Sequence, residues 1–301
     1  MRAIDRLDTL LEQPVHTRSL GLVRILVGAI TLLHLWPFLS EVRRGDFYRD
    51  RFHHPYPSPL PDPSKQVYIV VVSVGLIAAL ALTLGVVTRV AAWSTFSVVA
   101  YNLSLSTTNL HNNRAYLVTV LLILALAPSG RSLSIDAFAH ARREPDFDRT
   151  TPGWTLWLLR FVSAVTYGAS GLSKLLDPDW FGGRVTWGRV VVQEAMVRDS
   201  LLPSAIADML LDRSFHTFAA KAIVLTELFI ASGLWWPRTR RLAIAAAICF
   251  HVTIEFSAEV QVFSLLGLAV LFAWADPSLP WLGQVLRRWA PRRREIAGAG
   301  T

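Results

Sequence analysis

Eight apolar runs, most of them close to the length that crosses a bilayer, constrain this chain more than any other feature. They fall at residues 20–39, 67–87, 90–105, 116–127, 156–175, 219–235, 242–256 and 262–275. A hydrocarbon core takes about 20 helical residues, and a helix is the one local structure that satisfies its own backbone inside lipid. The fourth run and the last two fall short and need polar flanks or shielding by neighbours. The expected fold is all-α: a polytopic transmembrane bundle of about eight helices. Composition agrees, because 17% of the residues are charged against about 25% in a soluble domain. Residues 1–18 then form an N-terminal segment, 19–276 the membrane domain and 277–301 a basic tail.

Arginine placement orients the bundle. With the N-terminus inside, Arg89, Arg238, Arg240 and Arg241 fall in short inner connections, and Arg287, Arg288, Arg292, Arg293 and Arg294 in the inner tail. Basic residues favour the cytoplasmic side, so both termini are expected in the cytoplasm of a cell that carries this protein as a multi-pass plasma-membrane component. The first run lacks a small-residue cleavage site and is long enough to span, so it reads as an uncleaved helix. The net charge of +8 is spread between apolar runs rather than along one stripe, so no nucleic-acid partner is expected. Cys249 is the single cysteine, and no internal disulfide can form.

Two outer loops are long. Residues 41–66 carry five prolines after His54, too many for regular structure. Residues 177–218 contain two stretches, 187–196 and 203–211, that suit short amphipathic helices on a membrane surface. No internal repeat is evident, so the sequence lends no support to a transporter of the inverted-repeat kind.

Ionisable residues within spanning helices are costly, and function is the usual reason for them. Arg24 and Arg160 lie near the inner ends of their helices, where snorkelling to the headgroups explains them. His34 reads as a core or interface histidine. Lys174 closes the fifth run at its outer end, and at 3.6 residues per turn Tyr167, Ser170, Gly171 and Lys174 share one face, the glycine leaving room for a close approach. The outer ends of other runs bring Asn112, Asn113, Arg114, Glu227, His251 and Glu255 to the same depth, His251 and Glu255 at i and i+4. These residues can line one cavity open to the outside; the competing reading is simple pairing, such as Glu227 with Lys174. Zinc-type spacing is missing, so no metal is expected, and no phosphate loop, dinucleotide fingerprint or serine-hydrolase elbow occurs.

The stretch Tyr167-x-x-x-Gly171-x-x-Lys174-Leu-x-x-x-Asp179-Trp180-x-x-Gly183 resembles the lysine-bearing segment of the vitamin K-dependent γ-glutamyl carboxylase family. That family sits within the wider group of horizontally transferred transmembrane (HTTM) domain proteins, found in many bacterial membranes. Three further stretches fit in order: Asn112-Asn113-Arg114-Ala-Tyr116-Leu117 with Pro128 and Ser132-Leu-Ser-Ile-Asp136, Phe250-His251 with Phe263-Ser264 downstream, and the opening helix with Arg24. The similarity extends over roughly residues 15–280. It implies an outward-facing pocket for a reduced membrane quinone of the vitamin K type, with Lys174 as base and His251 assisting proton movement. In the enzyme reading Asn112, Asn113, Arg114, Tyr167 and Gly171, together with Glu227 and Glu255 from the shared-depth argument, contact the quinone or substrate. Arg114 stands where the carboxylases have a histidine; an arginine cannot take up a proton at neutral pH but can hold an oxyanion.

Two readings follow. One is a quinol-dependent, carboxylase-like enzyme; the other is a non-catalytic membrane partner or maturation factor for an exported peptide or redox protein. The enzyme calls for a buried Lys174 free of any carboxylate and facing a cavity of ~300–1,000 Å³. The partner calls for Lys174 locked in an ion pair. A transporter, the weakest class, calls for polar residues continuing through the inner half of the bundle.

Overall fold

The computed structural model describes residues 3–45, 62–144, 146–200, 203–257 and 262–289. The described residues are all-α apart from one small ladder. Among the described residues there are fifteen α-helices, and every apolar run of the sequence falls on a helix. These are α2 (Arg18–Arg44), α3 (Lys65–Leu84), α4 (Thr88–Leu105), α5 (Asn112–Leu126), α7 (Trp154–Leu176), α12 (Arg213–Gly233), α13 (Pro237–Ser257) and α14 (Phe263–Val270). The last of these continues as a 3-10 turn, Leu271–Trp274. By length and hydropathy α2, α3 and α12 can each cross a membrane, and α5 and the α14 stretch are shorter apolar helices. Of the proline-rich loop expected at 41–66, residues 41–44 belong to α2 and 65–66 to α3, and residues 46–61, with His53 and His54, lie outside the described residues.

Local chemistry sets the helix ends. Ser64 caps α3 by accepting from the Val67 N–H, and Gly85 stops it in the left-handed region at φ 69°, where glycine avoids the Cβ penalty. His111 caps α5 through the Asn113 N–H, which starts the helix several residues before its apolar run. In α2 the helix continues through Pro37 to Arg44, and the Ser40 hydroxyl donates to the Pro37 carbonyl.

Seven of the described helices are too short or too polar to register as apolar runs. Two are the amphipathic helices α1 (Ala3–Glu12) and α6 (Ile135–Arg143), the latter capped by Ser134. The stretch between α7 and α12 holds α8 (Pro178–Phe181), α9 (Arg184–Val191), α10 (Glu194–Arg198) and α11 (Ser204–Leu211). The helix expected at 187–196 is thus broken in two near Gln193, while the one expected at 203–211 forms. A further amphipathic helix, α15 (Pro280–Trp289), occupies the tail. The strands β1 (Pro14–His16) and β2 (Thr150–Pro152) pair antiparallel, Val15 opposite Thr151, and tie the start of α2 to the start of α7.

Two apolar clusters hold the helices together. The larger joins α2, α3, α4, α5, the first turns of α7 and α14 through Leu20, Val27, Leu35, Tyr68, Leu117, Leu121, Leu159 and Leu266. The smaller joins α7, α12, α13 and the 3-10 turn through Tyr167, Ile230, Leu234, Ala247, Phe250 and Trp274. The opposite faces remain apolar and uncovered, with Ile77 69% and Leu225 67% exposed. Large apolar side chains left bare around a bundle are a lipid-facing belt.

Candidate functional site

Helix α7 carries a polar stripe at i, i+3 and i+4 spacing down the side that meets α12, α13 and the α14 stretch. At its C-terminal end Lys174 Nζ lies 2.6 Å from Glu227 Oε1 of α12 and donates to Ser170 Oγ at 3.0 Å. Ser170 in turn donates to the same carboxylate oxygen at 2.9 Å. The Glu227 side chain is 1% exposed and that of Lys174 17%, and the ammonium also sits over the Trp180 ring, 4.9 Å from its centroid. The helices come this close because of Gly171. A Cβ there would stand 3.0 Å from Leu228 Cδ2 and 3.2 Å from Glu227 Cβ. The glycine on the lysine's face therefore admits the partner helix.

One turn deeper, the Tyr167 hydroxyl and His251 Nε2 of α13 are 2.6 Å apart. His251 is fully buried, with Phe250 and Phe263 edge-on to its ring. Gly267 of α14 makes the space, since a Cβ at that position would overlap the imidazole. Deeper still, the Trp274 indole N–H donates to Ser163 Oγ at 2.9 Å, and Arg160 Nε donates to the Ala273 carbonyl at 2.7 Å. The Arg160 guanidinium lies 5.2 Å from the Trp157 ring and 5.7 Å from the Trp274 ring. Arg160 is half-buried, with a carbonyl and two indole faces around its guanidinium. Polar residues thus do continue along α7 beyond its lysine end.

Among the described residues, Glu227 Oε2, His251 Nδ1 and Ser264 Oγ in this region are buried with no hydrogen-bond partner. A buried polar atom without a partner is uncommon and costly. Sequence reasoning placed Lys174, Tyr167, Gly171, Glu227 and His251 in one group, and the structure brings these five together. It did not single out Ser163 or Trp274, although the continuing 3-4 spacing of polar residues in α7 was the available signal for Ser163.

The remaining candidates lie elsewhere. Arg114 Nη1 donates to the Asn109 carbonyl and side-chain oxygen at 3.2 and 3.3 Å, and its guanidinium stands 5.2 Å from the Phe38 ring. Asn109 donates to the Asn102 carbonyl at 2.8 Å, and Asn102 Oδ1 accepts from the Tyr68 hydroxyl at 2.5 Å. Arg114 therefore belongs to a second polar cluster, between α2, α3, α4 and α5. Asn113 is half-buried beside it and Asn112 is exposed; Glu255 is also exposed, although it lies one turn from His251. No described hydrogen bond or ion pair links Asn112, Asn113, Arg114 or Glu255 to Lys174.

A cavity of about 470 Å³ is present, but not at Lys174. It lies at the other end of α7 and is lined by Leu7, Leu10 and Leu11 of α1 with Trp154, Trp157, Leu158, Phe161 and Trp235. Its wall offers no group for acid–base chemistry.

A helical bundle with a bare apolar belt and a buried Lys–Ser–Glu cluster defines an integral membrane protein. The chain belongs to the HTTM-domain family, whose model matches residues 12–278, nearly all of it. No curated protein and no solved structure matches the chain.

Proposed function

We propose that this HTTM protein is a non-catalytic membrane partner or maturation factor for an exported peptide or redox protein. Eight helices cross the membrane in this reading, both termini are cytoplasmic, and the client meets the outer loop. The supporting observation is the closed ion pair of Lys174 with Glu227. An ion-paired lysine is an ammonium, and it must hand on a proton before it can accept one, so the free base that quinol chemistry needs is not on display. The short helices of the outer loop leave Val192, Met196 and Met209 exposed, apolar contact points for an extended client or for the membrane surface.

One observation favours the quinol-dependent reading. Glu227 Oε2, His251 Nδ1 and Ser264 Oγ are buried and unpartnered, and these are atoms that the hydroxyl of a reduced quinone could engage. A bound hydroquinone would supply a weak acid and an oxidisable ring. The chain's own residues would then hold that hydroxyl and keep water from it.

Oxygen-dependent oxidation of a reduced menaquinone analogue separates the two. Turnover by purified native protein that vanishes in Lys174→Ala at equal folded yield overturns the partner reading. Its absence, together with photo-crosslinking of an exported polypeptide at Met196 or Met209 in cells, supports it.

A further inference from the structure

The end of α7 opposite Lys174 holds two features that neither reading of the lysine cluster uses. One is the cavity of about 470 Å³; the other is a pair of arginines beside it. Leu7, Leu10 and Leu11 of α1 wall the cavity on one side, and Trp157, Phe161 and Trp235 face them. Leu7, Leu10 and Phe161 are exposed, so the mouth lies on the bare apolar surface of the bundle rather than in its core. Such a wall gives water no hydrogen-bond partner, and the volume falls within the ~300–1,000 Å³ of ordinary ligand sites. Hydrocarbon is the filling it suits.

The chemistry at its rim is the opposite. Trp157 stacks on Trp235 with ring centroids 5.9 Å apart, and Trp235 stands edge-on to Trp274 at 5.0 Å. Two guanidinium ions sit on this group of indoles. That of Arg160 lies 5.2 Å from the Trp157 ring and 5.7 Å from the Trp274 ring, and that of Arg240 lies 5.8 Å from the Trp274 ring. The pair is thus one indole away from the cavity.

Each arginine is anchored through Nε, Arg160 to the Ala273 carbonyl at 2.7 Å and Arg240 to the Leu234 carbonyl at 2.9 Å. That anchoring leaves the end-on edge of each guanidinium, Nη1 with Nη2, which can grip two oxygens of one phosphate. Both side chains are half-buried. The charge of Arg240 bears on Arg160, and among the described residues no acid does. The acids of α1, Asp5, Asp8 and Glu12, are exposed. Two like charges held on one aromatic platform repel each other, and an anion shared between them relieves that repulsion.

We infer that this end of the bundle binds an anionic phospholipid, one acyl chain lying in the cavity between α1 and α7 and the phosphate received by Arg160 and Arg240. The charge pair decides the occupant. An uncharged isoprenoid tail, or an apolar helix of a second copy of the chain, would fill the cavity and leave both arginines unmatched.

The full chain is reconstituted in nanodiscs of phosphatidylcholine and phosphatidylglycerol in equal parts and released into mild detergent, and native mass spectrometry counts the lipid it keeps. The unmodified chain should keep one phosphatidylglycerol, preferred about tenfold over phosphatidylcholine, the discrimination that charge-assisted hydrogen bonds supply. With Arg160→Gln and Arg240→Gln together the preference should fall to about onefold. Arg142→Gln with Arg143→Gln on α6, which reports general surface attraction, should keep it. Leu10→Trp, which fills the cavity from the α1 side, should abolish retention of either lipid. Should the double arginine variant fail to fold, Arg240→Lys, which keeps the charge and loses the fork, must lower the preference. An unmodified chain that keeps no lipid, or keeps both lipids equally, overturns the inference. A preference that survives the double change, retention that survives Leu10→Trp, or the mass of a quinone or a second chain in place of the phospholipid overturns it as well.

Discussion

Glu227 carries more consequence per atom than any other residue of the Lys174 cluster. One of its oxygens takes both the lysine and Ser170, and the other takes nothing. Removing one member of a buried pair strands the other, at a cost of about 3–5 kcal/mol. Glu227→Gln and Lys174→Met should therefore each destabilise the protein strongly in thermal unfolding. The double change Lys174→Met with Glu227→Leu should recover most of the loss, because it strands nothing; a double variant as unstable as the two singles combined would refute the clasp. Gly267 offers a second test at this scale. Gly267→Ala must push the His251 ring off Tyr167 and should cost about 1–3 kcal/mol, while Gly188→Ala, with open space around it, should cost little. Helical spacing made Tyr167, Gly171 and Lys174 legible as one face in the sequence, and shared depth brought Glu227 and His251 to them. The same depth argument wrongly drew in Arg114 and Glu255. Depth along the membrane normal is written in a single helix, but the azimuth at which each helix faces its neighbours is set by packing, which periodicity does not encode.

At the scale of elements, the contact between α6 and the turn before α4 is held by Asp136. Burial pulls its carboxyl upward, but the Thr88 N–H, the Thr88 hydroxyl and the Val87 N–H outweigh burial and hold it below the usual 3.8. A carboxyl depressed on folding contributes stability that is complete above its unfolded value and lost as pH falls through the folded one. Stability should thus drop below pH 3.8, and Asp136→Asn should flatten that part of the profile while costing about 1–2 kcal/mol at neutral pH. An unchanged acid limb in Asp136→Asn would contradict this role. Helices α1, α6 and α15 and the β1–β2 ladder were not legible as spans. A search for runs near twenty apolar residues passes over ten-residue helices whose apolar residues fill one face, and three-residue strands carry no period at all.

For the molecule as a whole, the apolar runs and the arginine bias predict one topology, with both termini inside. An alkaline phosphatase reporter fused at either terminus should be inactive, and one inserted between Asp199 and Ser200 should be active; activity at a terminus would reverse the orientation. The eight runs survive folding because hydrophobic length is a property of local sequence. The function does not read out so directly, since the same lysine can be a base or a clasp according to what stands 2.6 Å away. The measurement that tests the clasp most directly is oxygen-dependent quinol oxidation by native protein and Lys174→Ala, compared at equal folded yield. The partner reading predicts no turnover in either. Turnover in the native protein that disappears with Lys174→Ala would contradict it and make the Lys174–Glu227 pair the resting state of an enzyme.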